Sequence, residues 1–224
     1  MPAMLETVER VTKPRPAWTI LWLHGLGADG HDFASIVPEL VQPDWPGIRF
    51  VFPHAPMRAV TINGGARMRA WYDISALSFD QRADEVGMRE SIAEVDALIA
   101  RERDRGVPPQ RLVLAGFSQG GAVALAAGLR REAGLAGIVS LSSYLPMAAQ
   151  TAAEITPAGR ATPVFQGHGT QDPMVPLSAG QRSKTALEAL KVPVEWHSYP
   201  MGHSVCPEEV ADLRRWLGMR FAGG

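Results

Sequence analysis

A chain of 224 residues, 46% of them hydrophobic and 20% charged, is long enough to bury a sizeable core, and we expect a single domain over residues 1–224. A net charge of −1 excludes the basic footprint that nucleic-acid binding requires. The lone cysteine, Cys206, excludes an internal disulfide and fits a reducing compartment. No apolar run approaches the ~20 residues of a transmembrane helix. We therefore expect a cytoplasmic protein without a nucleic-acid partner or a transmembrane segment.

Apolar runs that suit buried strands alternate along the chain with stretches of helical periodicity. The strands are predicted, in order, at residues 7–11, 18–23, 48–52, 111–115, 137–141, 163–166 and 192–199. The helices are predicted at residues 31–40, 84–103, 119–127, 178–190 and 207–219, and residues 57–80 show no regular element. Such alternation predicts an α/β fold with a mostly parallel central sheet and helices on both faces, in which sites form at the carboxyl ends of strands.

The most informative stretch is Gly116-Phe117-Ser118-Gln119-Gly120, which separates an apolar strand from a helix rich in small residues. This is the strand–turn–helix context of a G-x-S-x-G nucleophile elbow. Glycines on either side of a strained serine allow the strand and the helix to approach closely. A glycine turn with an exposed serine would show the same five residues, so the interpretation as a nucleophile elbow depends on the rest of the chain.

Two further loops follow predicted strands and supply an acid and a base. Asp172 follows strand 163–166, and His203 follows the strand that ends at Tyr199. A serine hydroxyl needs an imidazole to take its proton, and the imidazole needs a carboxylate to orient it. The chain order Ser118, Asp172, His203 is the order of the α/β-hydrolases. We therefore predict these three residues as the catalytic set.

The other candidates for these roles have structural interpretations. Asp73, Asp80 and Asp212 do not follow a predicted strand between the serine and the base. The remaining histidines are too scattered for a metal site, and we expect neither a metal nor another cofactor. The residues concerned are His24, His31, His54, His168 and His197.

Acyl transfer also needs hydrogen-bond donors for the developing oxyanion. Gln119, directly after the serine, offers its backbone N–H. The loop Gly25-Leu26-Gly27, at the end of strand 18–23, offers a second from Leu26. Taken alone, that loop would be better explained as an ordinary glycine turn.

Six sequence blocks between residues 24 and 204 together resemble the acyl-protein thioesterase/carboxylesterase family, in the family's order and at its rough spacing. They are His24-Gly25-Leu26-Gly27, Pro53-His54-Ala55-Pro56, Trp71-Tyr72-Asp73, Gly116-Phe117-Ser118-Gln119-Gly120-Gly121, His168-Gly169-Thr170-Gln171-Asp172-Pro173-Met174-Val175-Pro176 and Met201-Gly202-His203-Ser204.

The resemblance implies an α/β-hydrolase without a large cap domain that hydrolyses carboxylic esters or thioesters of small or lipid-like acyl groups, acylated proteins among them. It assigns the triad to Ser118, Asp172 and His203, the oxyanion donors to Leu26 and Gln119, and a place beside the acyl site to Trp71. Some members are homodimers, so the resemblance leaves a homodimer open.

The segment from Trp71 to Phe79 carries several apolar side chains and few charges. An exposed apolar cluster usually marks a binding surface. We expect Leu77 and Phe79 to line a groove that leads to Ser118 and holds the acyl chain.

Two other functions stay open at this level. The elbow and the triad do not exclude an amidase or peptidase on the same fold. A non-catalytic binding protein on a hydrolase fold is the third reading, because a fold does not guarantee a function.

Overall fold

The computed structural model describes residues 4–75 and 84–222. The strands in these residues are, in chain order, β1 (Thr7–Val11), β2 (Trp18–Leu23), β3 (Ile48–Pro53), β4 (Met57–Val60), β5 (Ala66–Arg69), β6 (Leu112–Phe117), β7 (Gly137–Leu141), β8 (Val164–Gly169) and β9 (Val194–Tyr199). The α-helices are α1 (Val37–Leu40), α2 (Glu85–Asp104), α3 (Gln119–Gly128), α4 (Ala148–Glu154), α5 (Pro157–Ala161), α6 (Leu177–Ala189) and α7 (Pro207–Ala222).

Within the described ranges, seven strands form the central sheet in the order β1-β3-β2-β6-β7-β8-β9. The edge strand β1 runs antiparallel to β3, and every other pair of neighbours is parallel. The predicted α/β fold with a mostly parallel sheet is therefore confirmed. Parallel order brings the carboxyl ends of β2, β6, β8 and β9 to one edge of the sheet, where the loops that follow them meet.

Alternate side chains of the strands supply the two faces of the sheet, as the pleat requires. In β2, Leu21 and Leu23 pack on the face that α2, α3 and α6 cover. Ile20 and Trp22 point the other way and pack with residues of α1 and α7. Helices on both faces leave every residue of β2 buried, which explains its unbroken apolar run.

The predicted helix at 31–40 was wrong in its first half. Residues 31–33 form a turn, a 3₁₀ turn spans Ala34–Ile36, and only Val37–Leu40 is α-helical. Asp29 Oδ1 accepts the backbone N–H of His31 at 2.7 Å, which fixes a turn where the helix was expected to begin. Pro38 lacks an N–H and is tolerated only in the first turn of a helix, so α1 begins immediately before it.

The prediction that residues 57–80 lack regular structure was also wrong for residues 57–69, and residues 76–80 lie outside the described ranges. Strands β4 and β5 pair antiparallel as a hairpin outside the main sheet. Gly64 and Gly65 have φ of 65° and 80°, a region that glycine enters without strain, and they turn the chain between the strands. Asn63-Gly64-Gly65 was therefore a readable hairpin signal. The short helices α4 and α5 were not predicted either.

No helix in the described part of the chain combines the length and the apolar character needed to cross a membrane.

Candidate active site

Ser118 lies in a sharp turn between β6 and α3, with φ of 53° and ψ of −119°. A non-glycine residue with positive φ is strained and persists only where its surroundings hold it. A Cβ at Gly116 would lie 2.3 Å from the backbone of Gly120, and a Cβ at Gly120 would lie 2.3 Å from the carbonyl oxygen of Leu23. The two glycines thus allow β6, α3 and the end of β2 to converge behind the serine.

The surroundings hold this turn through two hydrogen bonds to the backbone of the serine. The N–H of Ser118 donates to the carbonyl of Leu141 at 2.9 Å, and its carbonyl accepts from the Ser143 hydroxyl at 2.6 Å. The side chain then stands at the N-terminus of α3, where unpaired N–H groups and the helix dipole favour negative charge.

Asp172 follows β8, and its side chain is fully buried. Its Oδ1 accepts the backbone N–H groups of Met174 and Val175 at 2.8 and 2.9 Å. Its Oδ2 lies 2.7 Å from Nδ1 of His203. Three hydrogen bonds therefore fix the orientation of the carboxylate.

His203 follows β9, and its side chain is 18% exposed. A carboxylate only accepts hydrogen bonds, so Nδ1 of His203 must donate to Asp172, and Nε2 is left with its lone pair. The imidazole also packs against the ring of Phe117, with 4.7 Å between the ring centroids. His203 and Ser118 both line one cavity.

The competing acids and histidines have other partners. Asp73 accepts the backbone N–H and the hydroxyl of Thr61 at 2.7 and 2.5 Å. His168 is buried and bonds through Nε2 to the carbonyl of Val175 at 2.8 Å. Burial lowers the pKa of His168, so its ring is neutral and donates to that carbonyl. Asp80 lies outside the described residues.

The cavity beside Ser118 has a volume of about 660 Å³. Its described wall is mainly apolar, and it contains neither lysine nor arginine. The apolar lining residues are Leu26, Ala28, Ile62, Met68, Tyr72, Ile74, Phe117, Tyr144, Pro173, Met174 and Val175. A cavity of this size and lining fits a hydrocarbon chain.

Leu26 and Gln119, the predicted oxyanion donors, line the same cavity as Ser118. Gln119 is the first residue of α3, so its N–H is one of those that the helix leaves unpaired. Leu26 follows β2 in the loop that Gly27, with φ of 77°, helps to turn.

The structure places Trp71 behind the cavity rather than in its wall. Trp71 is 0% exposed, and its indole Nε1 donates to the carbonyl of His24 at 2.9 Å. The geometry therefore gives Trp71 no surface for direct contact with a substrate. Leu77 and Phe79, the residues predicted to line the acyl groove, lie outside the described residues.

Several lining residues were not predicted from the sequence. Ile62 and Met68 belong to the β4–β5 hairpin, and Tyr144 follows β7. The hairpin signal at Asn63-Gly64-Gly65 could have located the first two. Tyr144 offered no local signal, because only the sheet order brings the end of β7 next to β6.

No group of three or more His, Cys, Asp or Glu side chains within residues 4–75 and 84–222 is arranged to hold a metal ion.

A parallel sheet that presents serine, acid and histidine in this chain order defines the α/β-hydrolase class. The family model described as phospholipase/carboxylesterase matches residues 5–220. The acyl-protein thioesterase 1 of Cryptococcus neoformans is 36% identical to the chain over 234 residues, which cover 97% of this chain and 98% of that protein.

Solved structures give the same result. The crystal structure of Arabidopsis thaliana SOBER1 is 32% identical with a TM-score of 0.86, covering 91% of this chain and 98% of that one. The crystal structure of Zea mays acyl-protein thioesterase 2 is 31% identical with a TM-score of 0.83, covering 96% and 99%. The chain belongs to the phospholipase/carboxylesterase family, as the six sequence blocks predicted, and it is a serine hydrolase of the carboxylesterase and thioesterase type.

Proposed function

We propose that Ser118, Asp172 and His203 are the catalytic triad of an enzyme that hydrolyses acyl esters or thioesters through an acyl-enzyme. The observation that carries this proposal is the shared cavity. A strained serine at a helix N-terminus and a histidine bonded to a buried carboxylate line the same apolar space.

In the proposed mechanism, Nε2 of His203 takes the proton of Ser118 as its Oγ attacks the carbonyl carbon of the substrate. The carbonyl oxygen becomes an oxyanion, which the N–H groups of Leu26 and Gln119 bind. The intermediate collapses, and His203 returns the proton to the departing alcohol or thiol. Water, deprotonated by His203, then attacks the acyl-enzyme and releases the carboxylic acid and Ser118.

The substrate class follows from the wall of the cavity. Because the described wall is mainly apolar, it favours the hydrocarbon part of the acyl group, and the expected contribution is about 0.8 kcal/mol for each buried methylene. Relatives named acyl-protein thioesterase support acylated proteins as substrates. Leu77 and Phe79 stay predicted members of the acyl groove.

The setting of the enzyme is also part of the proposal. We infer one hydrolase domain over residues 1–224 that works in the cytoplasm, which the single cysteine Cys206 supports. A homodimer stays a prediction.

The experiment combines active-site labelling with turnover. A fluorophosphonate probe should label the wild-type protein at Ser118, and Ser118→Ala should lose both the label and the hydrolysis of p-nitrophenyl esters. Ser178→Ala, at an exposed position on α6, is the matched control and should retain both. Labelling that persists in Ser118→Ala would contradict the assignment of the nucleophile.

Substrate series separate the candidate functions. Matched oxygen esters and thioesters from acetyl to palmitoyl should be hydrolysed, with the efficiency rising with chain length until the cavity is filled. An anilide of the preferred acyl group should react far more slowly. Preferential cleavage of the anilide would favour the amidase reading instead.

A further inference from the structure

We propose that the side chains of Trp71 and Gln119 are positioning residues that hold the two oxyanion donors at a fixed separation. The inference rests on the proposed function, and it assigns to Trp71 an indirect role in place of contact with the acyl group.

The first link is the side-chain amide of Gln119, which pairs with the backbone of the segment behind the cavity. Its Oε1 accepts the N–H of Trp71 at 2.8 Å, and its Nε2 donates to the carbonyl of Tyr72 at 2.8 Å. Gln119 is 2% exposed, so water does not compete for these bonds. Both polar atoms of the Gln119 side chain are thus hydrogen-bonded, and the backbone N–H of the same residue is one of the two proposed oxyanion donors.

The second link is the indole of Trp71, which reaches the loop that carries the other donor. Nε1 donates to the carbonyl of His24 at 2.9 Å, two residues before Leu26. The carbonyl of Trp71 in turn accepts the hydroxyl of Ser91 from α2. The backbone N–H, the backbone carbonyl and the indole N–H of Trp71 therefore all form hydrogen bonds. Through them Trp71 links α3 to the loop after β2.

The third link is His24, which fixes the start of that loop. Its Nε2 accepts the N–H of Ala55 at 3.0 Å, and its Nδ1 donates to the carbonyl of Gly25 at 2.7 Å. Burial lowers the pKa of His24 to about 4, so the ring is neutral near pH 7 and Nε2 keeps the lone pair that this bond needs.

These contacts form a continuous path from Gln119 through Trp71 to His24 and the donor loop. An oxyanion hole stabilises the transition state only when both donors point to the position of the oxyanion. Substrate in the ground state depends much less on that alignment. Loosening the path should therefore lower kcat while KM changes little.

The test uses two variants. Trp71→Phe removes the indole N–H together with part of the ring, and Gln119→Met removes both hydrogen bonds of the side-chain amide at similar side-chain volume. Trp22→Phe is the matched control. Trp22 is a buried tryptophan on the opposite face of the sheet, and its Nε1 has no hydrogen-bond partner among the described residues. The readouts are kcat and KM with a p-nitrophenyl ester, and the Ki of an alkylboronic acid, whose adduct with serine is tetrahedral. Active-site titration corrects for unfolded protein.

Trp71→Phe and Gln119→Met should each lower kcat by about 10- to 100-fold, since misplacing a catalytic group by about 1 Å costs about 100-fold. The Ki of the boronic acid should rise by a similar factor, with KM within about threefold of wild type. Trp22→Phe should match the wild type in all three. Lower thermal stability with unchanged kcat and Ki per active site would overturn the inference and leave Trp71 and Gln119 purely structural.

The proposed function has its own control in this design. If the wild type neither hydrolyses the ester nor reacts at Ser118, the proposed function fails, and the inference fails with it. If the wild type hydrolyses the ester and reacts at Ser118, but both variants behave like Trp22→Phe, only the positioning role is overturned.

Discussion

Oδ2 of Asp172 lies 2.7 Å from Nδ1 of His203, while Oδ1 of the same carboxylate accepts two backbone N–H groups from the chain that follows it. The backbone bonds prevent the carboxylate from rotating away, so the imidazole is held in the tautomer that leaves Nε2 free. In the proposed triad, Asp172 would therefore act on the chemistry only through His203.

Asp172→Asn should leave the fold intact and lower kcat by about 10⁴-fold, because an amide can donate to Nδ1 and so stabilise the wrong tautomer. The measurement is kcat for a p-nitrophenyl ester, with circular dichroism to verify folding. Asp212→Asn is the control: Asp212 accepts from the hydroxyl of Tyr199 and is not among the residues that line the cavity beside Ser118. Near-normal activity in Asp172→Asn would show that another acid orients His203.

Gly120→Ala should disrupt the elbow, because the added Cβ would lie 2.3 and 2.6 Å from the carbonyl oxygens of Leu23 and His24. We expect a large loss of both activity and thermal stability. Gly218→Ala in α7 is the matched helical control, since its Cβ would meet Trp45 only at 3.6 Å. That variant should gain about 0.5–1 kcal/mol, because alanine is the better helix former. Equal effects of the two substitutions would refute the packing argument.

Tyr144 lines both the cavity beside Ser118 and a second space of about 240 Å³. Its hydroxyl lies 2.7 Å from that of Tyr72. Tyr144→Ala should join the two spaces and shift the preferred acyl chain to greater length. Each additional buried methylene should raise kcat/KM by roughly fourfold.

The acyl-length profile of p-nitrophenyl esters checks this prediction. Tyr144→Phe keeps the ring and loses the hydroxyl, so its profile should stay close to that of the wild type. An unchanged length optimum in Tyr144→Ala would mean that the chain leaves the cavity in another direction.

Glu209 on α7 is fully buried, and both of its carboxylate oxygens lack hydrogen-bond partners among the described residues. It fits beneath β8 only because Gly167 has no Cβ, which would lie 2.0 Å from Oε1. Burial raises the pKa of Glu209 to about 8, from an ordinary value of 4.5. The carboxyl group is therefore protonated in the folded protein at neutral pH.

Between pH 4.5 and 8 the unfolded chain releases the Glu209 proton while the folded protein keeps it, so the free energy of unfolding should fall as pH rises. The slope from this one group is at most about 1.4 kcal/mol per pH unit. Glu209→Gln should remove that slope, and urea titrations at pH 5, 6.5 and 8 measure it. Glu208→Gln, at an exposed position next to it, should keep the wild-type slope. Parallel pH profiles for wild type and Glu209→Gln would contradict the assigned protonation.

The sequence by itself determined the alternation of strands and helices, the elbow at Ser118 and the two strand-end loops that carry Asp172 and His203. These features can be predicted from the sequence because they depend on local hydrophobic periodicity and on the glycines that the turn at Ser118 requires. General rules for parallel sheets then place the loops that follow these strands at one edge of the sheet.

Only the tertiary structure decided which residues line the cavity and which hydrogen bonds hold the residues behind it. Tyr144 reaches the cavity because β7 lies next to β6, and Trp71 is buried because its hydrogen-bond partners are His24, Ser91 and Gln119, each 20 or more residues away in sequence. Local sequence cannot specify such contacts, since each depends on which distant segments the sheet brings together. Local chemistry decided the start of α1 instead. Pro38 and the turn that the Asp29 side chain fixes outweighed the helical periodicity of residues 31–40.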